Sequence, residues 1–480
     1  MLKRISLALL VFLCTSCQEL DMACVLIELA VPDEHYSLEK SFEGTITNFE
    51  KWWGQFSGTP LGKLFEIALE RSPLLEKARN ELREIAYKYG MKQEHVEHMV
   101  SNLNNYIKIS IMPPDSQSAT PLNFSANHVI TNSLPTDFTQ GQGNYLRIFR
   151  LDILIDIFGF NNSWRQSAIN EITAVIETIR DVFSLIRISI AKHFTHIRSY
   201  QLRKKSHFHL SSSFESTLQQ IERRVKAGIH DNRDLESAYN VLSEAAENIF
   251  KFSQSIKQEI HSLLNETGIG SIEELLEIVG EEFELPKADC DVLVGTPMNV
   301  VLNRPEIVIQ MNLLKHICGI IGITLSDRFP KFRIDAIFET TARSLYDLIK
   351  TENYSIAYGY KMDQNIFEQS KVTAKLLMHR SAYQKVASDY KKVVAFALTE
   401  VADKMVKKGL IKRELSYLES QLEAFEKKLE KIKAKLQTSA TYLLESLETE
   451  KGRLDLVDKK IVLETENIIS TMELVRSLGG

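Results

Sequence analysis

Long stretches of the chain carry apolar residues at steps of four and three with polar residues between them. Ile172, Ile176, Ile179, Phe183, Ile186 and Ile190 form one such stripe, and Phe214, Leu218, Ile221 and Val225 resume it. Neither proline nor glycine stands between Trp164 and Gly228. Leu418, Leu422, Phe425, Leu429, Ile432 and Leu436 repeat the spacing in the second half. The pattern predicts coiled-coil seams on very long helices. At the α-helical rise, about 65 residues make a rod near 100 Å long, over three times the thickness of a bilayer core. A rod of that length crosses an aqueous compartment rather than a membrane. Its charged flank, as in Glu426–Lys435, reads as a solvated face.

Between the helical stretches the period changes from three and four to two. Tyr106–Met112 alternates for a few residues, Pro113–Asn144 reads as a long external loop, and Tyr145–Phe158 returns as a strand. Phe332–Phe338 and Tyr354–Tyr360 repeat the arrangement. A lipid-exposed sheet has to close, and closed barrels need about eight strands or more. Four strands cannot do this within one chain. If they cross a membrane, several copies must pool them, two giving eight strands and three giving twelve; soluble β-hairpins capping a helical bundle are the alternative.

The plan is written twice. Ser72-Pro73 opens the first copy and Gly90 follows seventeen residues after the proline; Arg304-Pro305 opens the second and Gly322 follows at the same spacing. Proline suits a first helical turn and glycine a helix end, so each pair is expected to bracket one helix. Pro73, Arg304 and Pro305 read as structural helix-start residues. The divisions that follow are a signal peptide at 1–16, an N-terminal segment at 17–70, a first repeat at 71–285 and a second at 286–480.

Composition changes the picture little, except by exclusion. A formal net charge of −5 leaves no basic footprint for nucleic acid. Lys3 and Arg4 precede the apolar run Ile5–Leu13, which is too short for a mature membrane span and reads as a cleaved signal. Cys14-Thr-Ser-Cys17 resembles a lipoprotein box, with Cys17 as the acylated residue; an ordinary secretory signal is the other reading. Cys24, Cys290 and Cys318 show no paired spacing, so no disulfide framework is expected.

Candidate chemistry is sparse. His207 and His209 are two residues apart and cannot share a helix face, as are His316 and Cys318; His193 and His196 can share one but lack a third ligand nearby, and read as surface histidines. No phosphate loop, nucleophile elbow or zinc-spaced cysteine set is present. Neither an enzyme, a metal site nor a cofactor is expected.

Six stretches together carry a resemblance: the Cys17 box, Asp156-Ile-Phe-Gly159, Val225-Lys-Ala-Gly-Ile229, Leu302-Asn-Arg-Pro-Glu-Ile307, Phe329-Pro330 and Leu478-Gly-Gly480. In this order the chain resembles the outer-membrane efflux proteins of the TolC/OprM family, most closely the lipoprotein branch, from about residue 60 onward. The resemblance implies a mainly α, internally duplicated fold in which each chain gives four strands to a trimeric membrane β-barrel, continued by a long α-helical periplasmic barrel. It implies an exit duct for efflux or type I secretion, working as a homotrimer in outer-membrane lipid with a periplasmic adaptor and an inner-membrane RND or ABC transporter. By the same resemblance Ala227, Gly228, Ile229 and Ser439 fall at adaptor-docking tips, and Asp234, Glu445 and Glu448 at a pore gate. The second tip is expected within Gln437–Glu448, where Thr438-Ser439-Ala440 replaces the family's glycine; Phe367-Glu368-Gln369 replaces the glycine pair after the fourth strand. Competing readings are a periplasmic coiled-coil lipoprotein scaffold and a secreted hydrolase.

Overall fold

In the computed structural model, the described residues are 49–109, 137–141, 144–227, 231–280, 284–288, 292, 303–342, 354–364, 368–436 and 443–480. The chain divides into two units. Elements in chain order are α1 (Phe49–Gly54), α2 (Pro60–Arg71), α3 (Pro73–Lys88), α4 (Gln93–Ile109), β1 (Asp137–Gly141), β2 (Asn144–Ile155), α5 (Phe160–Lys226), α6 (Asn232–Thr267), α7 (Ile272–Val279), α8 (Pro305–Ser326), β3 (Lys331–Ala342), β4 (Tyr354–Asp363), α9 (Gln369–Leu436) and α10 (Leu443–Ser477).

One unit holds the four strands, the start of α5, most of α8 and the start of α9. The strands form one antiparallel sheet in the order β1-β2-β3-β4. The register aligns Phe149, Leu151, Ile153 and Ile155 with Phe338, Ala336, Ile334 and Phe332. Those in turn align with Ile356, Tyr358, Tyr360 and Met362 on β4. Intervening rows align Asp152 with Asp335 and Arg333 with Lys361. Successive strand residues belong to opposite faces, so apolar and charged rows alternate across the sheet. On β4 the apolar row is open: Tyr358 is 86% and Tyr360 93% exposed, with Ile356 and Met362 also exposed. The cost of so much exposed apolar surface marks an interaction face rather than a finished exterior.

The helices of this unit pack through small residues. A Cβ built at Gly319 would lie 2.6 Å from Ser167 Cβ and 2.8 Å from the Ser163 carbonyl oxygen; one at Gly322 would lie 2.5 Å from Ser163 Oγ. Gly322 is therefore an interior residue of α8 that lets α5 approach, not the helix end expected from its spacing. Gly90 does terminate α3, with φ +75°. The two glycines differ because α8 continues apolar through Ile323, Thr324 and Leu325, with Ile321 and Leu325 buried against Leu376. A second correction concerns Cys318, which is disulfide-bonded; the chain's other cysteines, Cys17 among them, lie outside the described residues.

The expected first strand is also corrected. Tyr106–Ile109 ends helix α4, whose buried Val96, Met99, Val100 and Leu103 set a helical period that outweighs four alternating residues. The strand that pairs with β2 on the edge away from β3 is Asp137–Gly141, within the stretch expected as loop. β2 itself ends at Ile155, before Asp156–Phe158.

The other unit contains α1–α4, α5 from Val175, α6, α7, the start of α8, α9 from Lys392, and α10. Its N-terminal helices carry an aromatic cluster in which Trp53 meets Trp52, Phe56 and Phe65 edge-on or tilted. Arg187 of α5 lies over the Trp53 and Phe183 rings at 4.8 and 4.6 Å. Burial, with Arg180 adding to it, pushes its pKa down to about 9, so it stays charged at neutral pH. The Trp52-Trp53 pair thus anchors the N-terminal segment to the first long helix. Thr59 caps α2 through a 3.3 Å bond from the Gly62 N–H, and Pro60 occupies its first turn.

Candidate functional site

Four of the six stretches that carried the resemblance meet in pairs. Asp156 accepts the N–H groups of Phe160 at 2.7 Å and Asn161 at 2.8 Å, satisfying donors at the start of α5 that have no helical partner. Gly159, at φ +72°, supplies the left-handed turn between them. Phe158 stacks on Phe329 at 4.5 Å, so the strand-to-helix and helix-to-strand junctions are fastened to each other. At the C-terminus, Gly479 has φ +99° and sits where a Cβ would lie 2.6 Å from the Asn303 carbonyl carbon. The terminal glycines therefore close against the Asn303-Arg304-Pro305 stretch.

Arg304 does more than precede a helix. It is 2% exposed, pairs with Glu400 of α9 and lies 3.8 Å from Glu306. Arg476 of α10 bonds Glu306 at 3.0 Å and Asp181 of α5 at 3.4 Å. Burial, with Glu306 adding to it, raises the Asp181 pKa despite Arg476. Four helices are thus tied at one ionic junction. Pro305 starts α8 and Pro73 starts α3 in their first turns. Sequence reasoning missed the junction because its partners are separated by up to 295 positions with no periodic signal.

The expected tips lie at the helix breaks. α5 ends at Lys226 and α6 begins at Asn232; Ala227 is a turn residue, while Gly228 and Ile229 lie outside the described residues. α9 ends at Leu436 and α10 begins at Leu443, with Ser439 outside the described residues. Phe214 and Ile221 of α5, Ala238 and Val241 of α6, and Leu443 and Leu447 of α10 form one buried cluster. It joins the end of the first hairpin to the start of the last helix. Asp234 lies in the first turn of α6. Glu445 and Glu448 are exposed in the first turns of α10. At about 100° per residue, their shared face is roughly 150° around the helix from Leu443 and Leu447. The carboxylates therefore point away from the packing that holds α10 in place.

The two histidines expected at the surface, His193 and His196, are not fully exposed. His193 and His196 are half-buried and His207 is buried, each beside a carboxylate from another helix. Among the described residues no group of three or more histidine, cysteine or acidic side chains could hold a metal ion.

No protein-family model matches the chain. The solvent efflux pump outer membrane protein SrpC of Pseudomonas putida is 23% identical over 336 residues, covering 68% of this chain and 69% of its own length. Outer membrane protein OprJ of Pseudomonas aeruginosa is 21% identical over 326 residues, covering 68% of each. The open-state MtrE outer membrane channel of Neisseria gonorrhoeae superposes with a TM-score of 0.69 at 17% identity, over 92% of this chain and 96% of that one. The fold is that of the outer-membrane channels. By sequence the chain is a homologue of outer-membrane efflux proteins, consistent with the TolC/OprM family.

Proposed function

We propose that the chain is the outer-membrane exit duct of a tripartite efflux or type I secretion system. The observation that carries this reading is the open four-stranded sheet with its exposed Ile356, Tyr358, Tyr360 and Met362, attached to helices of 67 and 68 residues. In hydrocarbon such a sheet requires closure, and three copies supply twelve strands. The helices, about 100 Å each at the α-helical rise, continue the passage through the periplasm. Transport is passive in this chain, and energy comes from an inner-membrane RND or ABC transporter linked through a periplasmic adaptor.

Within that reading the Ala227-Gly228-Ile229 turn and the Ser439 turn dock the adaptor. Asp234, Glu445 and Glu448, repeated by threefold symmetry, ring the constriction and favour cations over anions. Adaptor binding opens the tips by contacting the open state better than the closed one. Acylation of Cys17 anchors the chain to lipid.

Planar-bilayer conductance of the purified detergent-solubilised protein, with its mass in solution, tests the reading. A trimer giving small cation-preferring currents supports it. A monomer or dimer without conductance overturns it and leaves a coiled-coil scaffold with soluble hairpins.

A further inference from the structure

The long helices of the second unit carry large apolar side chains on flanks that the single chain leaves open. On α9, Val406, Leu410 and Tyr417 are exposed, Tyr417 by 65%. At about 100° per residue they fall within an arc of roughly 40°, and the exposed Lys428 and Lys431 continue the strip toward the helix end. Buried Ile411, Leu418 and Leu429 lie about 100–120° round the helix from Tyr417. On the first hairpin, Phe208 of α5 is exposed and Phe250 of α6 is 76% exposed. All three aromatic rings stand on sides turned away from α10. Glu419, which pairs with Lys460 of α10, is roughly 160° round α9 from Tyr417. Arg203 and His207, which meet Asp458, are roughly 100–140° round α5 from Phe208. Glu244, which pairs with Lys451, is roughly 120° round α6 from Phe250. Within the chain α10 is therefore tied on both sides, and the far sides of α9 and of the first hairpin are left without it.

We propose that the open strip of α9 packs against the α5–α6 hairpin of a second copy, with Tyr417 of one copy set beside Phe208 and Phe250 of the next. The proposal rests on the ring of three in the exit-duct reading. A ring built head to tail needs two different patches, one on each flank of the copy, and these two strips supply them. Exposed apolar surface of this extent marks an interaction face. The contacts to α10 also set the three rings on one scale. Glu419–Lys460 and the approach of Gly452 to Phe425 place Tyr417 level with about Ile461. Lys451–Glu244 places Phe250 level with about Val457, and the Asp458 contacts place Phe208 level with about Asp455. The spread is about six residues, or about 9 Å along the helices, so threefold repetition brings the rings of neighbouring copies to one belt.

Charge agrees with the same pairing. On the scale of α10, Lys428 and Lys431 stand nearer the tip than Tyr417, and Glu215 of α5 and Glu236 of α6 stand at the corresponding level below Phe208 and Phe250. Glu215 is roughly 20° round α5 from Phe208, and Glu236 roughly 40° round α6 from Phe250, so each belongs to the flank of its aromatic ring. All four charged side chains are exposed and none has an ion-pair partner among the described residues. The cations of one strip therefore face the carboxylates of the other. Exposed pairs of this kind add little strength, so the aromatic belt holds the seam and the charges fix its register.

The test is cross-linking of the full-length detergent-solubilised protein, with its mass in solution measured in parallel. A Tyr417→Cys chain is co-expressed with a differently tagged Phe250→Cys chain, or with a Phe208→Cys chain, and treated with a short bis-maleimide. Both pairs should give a covalent dimer carrying both tags on a denaturing gel, at a yield that wild-type protein and each variant alone do not reach. These side chains are exposed in the single chain, so the substitutions remove no internal packing. A trimer that gives no such dimer from either pair overturns the seam while the exit-duct reading stands; a monomer overturns both. The charges give a second readout. Lys428→Glu with Lys431→Glu should lower the temperature at which the trimer dissociates in detergent, and adding Glu215→Lys with Glu236→Lys should restore it. A fourfold variant no more resistant than the lysine pair overturns the proposed register.

Discussion

Replacing Gly319 with alanine and, separately, Gly409 with alanine should move stability in opposite directions. Both glycines lie within helices, α8 and α9, where alanine is intrinsically better by about 1 kcal/mol. At Gly409 a Cβ meets nothing within 4 Å, so the intrinsic gain stands alone. At Gly319 the same atom would lie 2.6 Å from Ser167 Cβ, 2.8 Å from the Ser163 carbonyl oxygen and 2.9 Å from Ser167 Cα. Two of these three atoms belong to the backbone of α5 and cannot swing aside. Overpacking of this kind costs about 1–3 kcal/mol, which cancels or exceeds the propensity gain. The expected net change is near +1 kcal/mol for Gly409→Ala and about −1 kcal/mol for Gly319→Ala. For a chain of this size that corresponds to shifts of about 1–2 °C of opposite sign, measured on the detergent-solubilised protein. If Gly319→Ala stabilises as much as Gly409→Ala, the close approach of α5 and α8 at this seam is wrong. If both destabilise, the α9 surface at Gly409 is covered by something the single chain does not show.

Three further outcomes test the helix ends and the ionic junction. Arg304→Ala leaves Glu400 and Glu306 without their buried cation and should cost about 3–5 kcal/mol, seen as loss of folded yield; wild-type yield and melting temperature would reduce the junction to a surface pair. Glu445→Gln with Glu448→Gln should alter single-channel conductance and reduce cation preference while leaving the Leu443 and Leu447 packing and the melting temperature unchanged. Unchanged currents would remove both residues from the pore. Gly228→Trp should weaken adaptor cross-linking without preventing self-assembly, and full cross-linking yield would place the first tip elsewhere.

The long helices were legible because their stripes repeat over many turns and no proline interrupts them. The bounds of the shorter α3 and the start of α8 were legible from Pro73, Gly90 and Pro305, residues whose backbone geometry admits few alternatives. β1 was hidden because Asp137-Phe-Thr-Gln-Gly141 is too short and too polar to alternate visibly; its strand character comes from pairing with Tyr145–Ile148. Gly322 misled for the complementary reason: a glycine can serve a turn or a close approach, and only the position of Ser163 distinguishes them. Spacing also had no access to the pairing of Cys318. The candidate site divides in the same way. Asp156 and Gly159 stand next to the helix they cap, whereas Glu400 beside Arg304 and the carboxylates beside His193 and His207 lie 66 to 251 positions away along the chain.

The sheet's two ends carry a genetic consequence. Among the described residues β1 bonds only to β2 and β4 only to β3, so each copy presents one open edge on either side. In a ring of three, every seam joins β4 of one copy to β1 of the next. A copy damaged in one edge strand still offers a sound edge to one neighbour, so it can enter the ring but cannot complete it. In a cell making sound and damaged chains equally, only about one ring in eight would contain three sound copies. Missense alleles in the edge strands would therefore act dominantly, while an allele that makes no protein would be silent beside a working one.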